Sequence, residues 1–150
     1  MSHDQALLLQ DRLEIVLDQF ETEITNIEQI RNREALKPLL EAAENLRAVL
    51  LEVKTYFVEV RNQLSTAIGI PPAKELAQLV IGASTEALSA IRETLHYFED
   101  VKEKMKGSRK TPLTREEIHY ADFGARVAIR KTRHIINRIT DHAEDLPEQI

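Results

Sequence analysis

LKPLLEAAENLRAVLLEVKTYFVEVRNQL, residues 36–64, decides the fold class. Its apolar residues Leu36, Ala43, Leu46, Leu50, Val53, Phe57, Val60 and Leu64 recur at steps of three, four or seven. A helix turns once every 3.6 residues, so this rhythm draws a single apolar stripe along one side of a long helix. Such a stripe needs partners to cover it.

The same rhythm continues on both sides. Upstream, Leu13, Leu17, Phe20, Ile24 and Ile27 alternate steps of four and three. Downstream come Leu76, Val80, Ala83, Ala87, Ile91, Leu95, Phe98, Val101 and Met105, then Ile118, Ala121, Ala125, Ile129, Thr132, Ile136 and Ile139. Helices of about 30 residues are roughly 45 Å long at about 1.5 Å per residue. Four of them predict an all-α, antiparallel up-down-up-down four-helix bundle with long heptad-patterned helices at about 3–31, 35–68, 72–106 and 114–143.

Punctuation falls between the stripes. Ser2 with Gln5 resembles a capping box, and Thr114 with Glu117 forms the clearest one, with Leu113 and Ile118 as a hydrophobic staple. Asn32 and Pro38 bracket the first turn-over, and because proline is tolerated in a helix's first turn, the second helix is expected to begin between Glu34 and Pro38. Gly69 and Gly107 are placed to end helices, and Pro71-Pro72 to open one. Lys102, Lys104 and Lys106 suit the negative end of the third helix dipole.

Composition agrees with one helical domain spanning residues 1–150. Apolar residues make up 43%, charged residues 30% and aromatics 5% of 150. Cysteine is absent, which removes disulfides and thiolate metal sites. The first thirty residues carry charges throughout, so no signal peptide is visible, and no apolar run is long enough to span a membrane. The expected location is cytoplasmic.

The net charge of −5 is unevenly spread. Residues 1–99 carry 9 Lys/Arg against 16 Asp/Glu, residues 100–140 carry 11 against 5, and the tail from Asp141 is acidic. The fourth helix shows a basic face of Arg115, His119, Arg126, Arg130, Arg133 and Arg138, preceded by Arg109 and Lys110. It lacks the interleaved aromatics expected of a base-stacking surface. The first helix places Asp11, Glu14, Asp18, Glu21 and Glu28 on one stripe, so the expectation is internal pairing between the acidic first and basic fourth helices.

Other patterns carry weaker chemistry. Glu93/His96 and Glu116/His119 have the Glu-x-x-His spacing that ferritin-like dimetal bundles use, but helical geometry turns Glu93 and Glu116 away from the buried stripes. Four histidines follow an arginine by four residues: Arg92/His96, Arg115/His119, Arg130/His134 and Arg138/His142. Such pairs share a face and offer donors to a phosphate. The helical HEPN ribonucleases space their Arg and His more widely on a late helix, so that motif is not met. Asp122-Phe123-Gly124 repeats a kinase triplet with no other kinase element present.

Small residues gather at Gly82, Ala83, Ser84, Ala87 and Ala90, and at Ala121, Gly124, Ala125 and Ala128, where they either let the two helices pack closely, the commoner outcome, or leave a cavity for an apolar ligand. Doubled apolar positions exceed what one bundle core needs: Leu7-Leu8-Leu9, Leu39-Leu40, Val49-Leu50-Leu51, Phe57-Val58, Leu79-Val80-Ile81 and Ile135-Ile136. The surplus predicts either a broad core or an apolar strip left exposed for another chain, with self-association the expectation. The functional expectation is a non-enzymatic protein–protein interaction or regulatory module, self-associating or bound to another helical protein. No cofactor, metal or membrane is expected. The alternatives are a nucleic-acid-binding, RNA-cleaving bundle using the basic face, and a dimetal carboxylate bundle.

Overall fold

The computed structural model describes residues 2–30, 33–64, 71–104 and 113–146. Four helices follow one another: α1 (Ser2–Thr25), α2 (Arg33–Leu64), α3 (Pro71–Lys104) and α4 (Arg115–His142). Single 3-10 turns follow α1 at Ile27–Gln29 and α4 at Ala143–Asp145. α1 packs on α2 and α4, and α3 packs on α2 and α4, so the helices close a four-membered ring around one core. The chain is a four-helix bundle.

The apolar stripes meet in that core. Phe20 of α1, Phe57 of α2 and Phe98 of α3 are fully enclosed, with Leu13, Leu50, Ile91 and Ile135 among their companions. On α4, Ala121, Ala125, Ile129, Thr132, Ile136 and Ile139 are all buried. Ile118 is half-buried, one turn inside the helix end. Burying a Leu, Ile or Phe side chain contributes about 1.5–3 kcal/mol, so this shared core, rather than any single helix, holds the fold.

Cross-helix contacts set the direction of α4. Gln10 donates a hydrogen bond to Thr140 Oγ1, and Glu21 pairs with Arg133 and Arg126. Contacts that climb along α1 thus descend along α4. The same holds against α3, where Glu86 meets Lys131 at 2.6 Å and Tyr97 meets the carbonyl of Glu117. α4 therefore runs opposite to both of its neighbours.

Helix ends follow local chemistry. Thr114 Oγ1 accepts from the Glu117 N–H at 3.1 Å, and Glu117 Oε1 accepts from the Thr114 N–H at 2.8 Å, the reciprocal capping box expected there. α1 stops at Thr25, short of the expected residue 31. Thr22 and Thr25 turn their hydroxyls back to the carbonyls of Asp18 and Glu21, as Thr94 and Thr132 do inside helices that continue. Asn26 then takes a non-helical conformation, and the 3-10 turn after it sends Ile27 and Ile30 into the core.

α2 begins earlier than the proline suggests. Pro38 lies inside the helix rather than in its first turn. It has no N–H to give the carbonyl of Glu34, but Glu34 is exposed and water can satisfy that oxygen. The expected features at Gly69, Gly107, Asn32, Met105, Lys106, Arg109 and Lys110 lie outside the described residues, as does the side chain of Ser2 that the expected cap requires.

Candidate functional site

The solvent side of α4 presents two adjoining surfaces, one toward α3 and one toward α1. Toward α3 it forms a groove of about 470 Å³ whose apolar lining includes Ala90, Tyr97, Tyr120, Ala121, Phe123 and Val127. Tyr120 and Phe123 are 73% and 68% exposed, the most exposed large hydrophobic side chains among the described residues. Large rings normally lose most of their surface on folding, and these two remain in water on one helix face.

Sequence and packing hold that groove in shape. The Tyr97 hydroxyl donates to the Glu117 carbonyl at 3.0 Å, bridging α3 to the first turns of α4. Its ring stacks on Tyr120 with centroids 6.0 Å apart and planes 18° from parallel. On its inner side the same ring meets buried Phe98 edge-on at 5.7 Å. Tyr97 therefore links the exposed Tyr120 to the core, and Tyr120 is less free than its exposure implies.

The floor of the groove depends on a small residue. A Cβ placed on Gly124 would stand 3.3 Å from Thr94 Oγ1, tighter than most such contacts. Glycine here lets α4 approach α3 closely, as the small-residue pattern anticipates. The Thr94 hydroxyl donates to its own helix at the Ala90 carbonyl, 2.8 Å away, and so has no hydrogen to offer a ligand. Gly82 is different: it is exposed, and no neighbour approaches the place of its Cβ.

Toward α1 the surface is polar. Glu21 Oε1 lies 2.8 Å from Arg133 Nη2, and Oε2 lies 3.5 Å from Arg126 Nη1. Arg126 also pairs with Asp122 one turn before it, at 3.3 Å. Arg130, His134 and Asn137 border the same hollow. The acidic stripe of α1 thus meets the basic face of α4 through Glu21, which bridges two arginines a heptad apart. Asp11, Glu14 and Asp18 make no ion pair with α4 among the described residues.

The six basic-face residues are consequently divided. Arg126 and Arg133 serve the α1 seam. Arg130 is exposed in the hollow between them without an acidic partner among the described residues. His119 borders the α3/α4 groove, Arg115 is exposed at the start of α4, and Arg138 is half-buried. Tyr120 and Phe123 stand exposed beside this face, in the groove toward α3, rather than in the hollow that Arg126, Arg130 and Arg133 line.

No family model, curated protein or solved structure matches this chain.

The remaining sequence signals resolve against the geometry. Glu93 and His119 border the same groove, one from each Glu-x-x-His pair, while His96 and Glu116 lie outside its lining. Among the described residues, no three of His, Cys, Asp or Glu gather as a metal site would require. Most doubled apolar positions are absorbed by the core: Leu39, Leu40, Val49, Leu50, Ile135 and Ile136 are buried. The surplus left outside is Leu8 and Ile15 on α1, each 59% exposed, with Leu7, Leu51 and Leu79 less so. No helix among the described residues is long and apolar enough to cross a membrane.

Proposed function

We propose that the chain is a non-enzymatic interaction module that docks a helical partner on the α3/α4 face. The observation that carries this reading is the exposure of Tyr120 and Phe123 beside an apolar groove. Exposed aromatics beside an apolar groove are frequent energetic centres of protein interfaces, and Tyr120 is held in place by its stack on Tyr97. A helix laid into the groove would cover both rings and the apolar residues between α3 and α4.

A library of displayed amphipathic helical peptides tests this. Selected binders should lose affinity about thirtyfold or more on Phe123→Ser or Tyr120→Ser, as interface anchors do. Circular dichroism should stay that of the parent, since both side chains are exposed. Binders whose affinity ignores both changes would remove the reading.

A second reading draws on the same face. Exposed aromatics beside the unpaired Arg130 resemble the stacking and charge that hold single-stranded nucleic acid. Glu21 weighs against it, because its carboxylate already holds Arg126 and Arg133. Fluorescence polarisation with single-stranded RNA at low salt decides: no affinity, or affinity unchanged by Arg130→Ala, ends the nucleic-acid reading.

A further inference from the structure

α4 carries two stripes. Opposite its buried one runs a second series, Glu116, Tyr120, Phe123, Val127, Arg130 and His134, at alternating steps of four and three. All are exposed except Val127, which is half-buried. A 3–4 rhythm on the solvent side is the pattern of a helix that meets another helix, here touched among the described residues only along its α3 edge, where Tyr97 stacks on Tyr120. Across residues 116–134 the chemistry is ordered, with an acid first, apolar side chains in the middle, and a cation and an imidazole last; the same spacing runs on through exposed Asn137 to Asp141. The side chains of Glu116, Arg130 and His134 form no ion pair or hydrogen bond among the described residues.

We infer that this stripe pairs with the same stripe of a second copy of the chain, the two α4 helices lying antiparallel about a twofold axis beside Ala125. The inference rests on the interaction reading above and names its partner.

The charge order selects both partner and direction. In an antiparallel pair, residues equidistant from position 125 face each other. Glu116 then faces the partner's His134, with the partner's Arg130 one turn away. Tyr120 faces the partner's Arg130, a guanidinium over an aromatic ring. Phe123 faces the partner's Val127, so the apolar residues sit on the axis and the charges at its two ends. Every contact is made twice, as twofold symmetry demands. A parallel pair would instead oppose acid to acid and cation to cation, which is unfavourable. The remaining exposed apolar pair, Leu8 and Ile15 on α1, is set among Asp4, Asp11 and Asp18 and offers no such self-complementarity.

Sedimentation equilibrium of the full chain tests the pairing. The expected species is a dimer of the 17.2 kDa chain. Phe123→Asp should weaken it by about thirtyfold or more, the loss of a central interface aromatic. Glu116→Arg alone and Arg130→Glu alone should each weaken it, and the double variant should restore it, because each copy then supplies both reversed partners. Unchanged circular dichroism confirms that the bundle survives each change.

A strict monomer at concentrations approaching millimolar overturns the inference, as does a dimer indifferent to all four variants. If the monomer still binds selected helical peptides through Phe123, only self-pairing falls and the interaction reading stands. If it binds none, both fall. A monomer that instead holds single-stranded RNA through Phe123 and Arg130 also overturns the pairing.

Discussion

Tyr97 of α3 donates its hydroxyl hydrogen to the main-chain carbonyl of Glu117 in α4, at 3.0 Å. That carbonyl belongs to the residue that also closes the Thr114 capping box. One side chain thereby ties the start of α4 to α3 while its ring supports Tyr120 from behind. Tyr97→Phe keeps the ring and removes the hydrogen bond. It should lower stability by about 1 kcal/mol, the usual net worth of such a bond, with Tm falling by about 2–4 °C in a chain of this size. Thermal unfolding followed by circular dichroism measures it.

The two described glycines should respond differently to alanine. Gly82 is exposed in mid-helix with nothing near its absent Cβ, so Gly82→Ala should stabilise the chain by about 0.5–1 kcal/mol. Gly124→Ala earns the same helical preference but presses on Thr94 Oγ1, which its own backbone bond holds in place. It should gain less than Gly82→Ala or lose stability. Urea unfolding of the two variants side by side gives the order.

Ser84 Oγ is fully buried and has no hydrogen-bond partner among the described residues. Buried Thr94 and Thr132, by contrast, each donate to a carbonyl one turn back. Ser84→Ala removes the unsatisfied hydroxyl without opening a large cavity. It should raise stability by about 1 kcal/mol, within the cost of an unpaired buried polar group. A fall in the urea midpoint would contradict this account.

Glu21 holds two arginines on the surface, its side chain 33% exposed and theirs 43% and 51%. Solvent screens such pairs, so Glu21→Gln should cost no more than about 1 kcal/mol. The difference from the parent should shrink in molar salt. Stability that is equally reduced at low and high salt would assign Glu21 a packing role instead.

The core side of this bundle is legible in the sequence because burial repeats. On α4, the steps linking Ala121, Ala125, Ile129, Thr132, Ile136 and Ile139 identify side chains that the structure encloses. The Thr114–Glu117 box is equally plain, because both of its bonds are local. The aromatic face is harder to read. Phe123 lies about 160° round the helix from Ala125 at about 100° per residue, outside the stripe that periodicity rewards. Only a search for a second stripe of the same period joins it to Tyr120 and Val127. The Glu21 bridge was visible as two charge stripes, but which acid would reach two arginines depended on helix offset, a tertiary property. The stop at Thr25 is hidden because the apolar rhythm runs on through Ile27, which the 3-10 turn buries as a continued helix would.

The Gln10–Thr140 bond joins residues 130 positions apart in the chain. A ribosome makes α1 first and α4 last. α2 can join α1 early, and α3 can follow, but the side of α1 that rests on α4 has no cover until synthesis has passed residue 140. The first made of these four helices thus receives its last neighbour at the end, and the side of α1 that carries Gln10 and Glu21 waits longest for its partner.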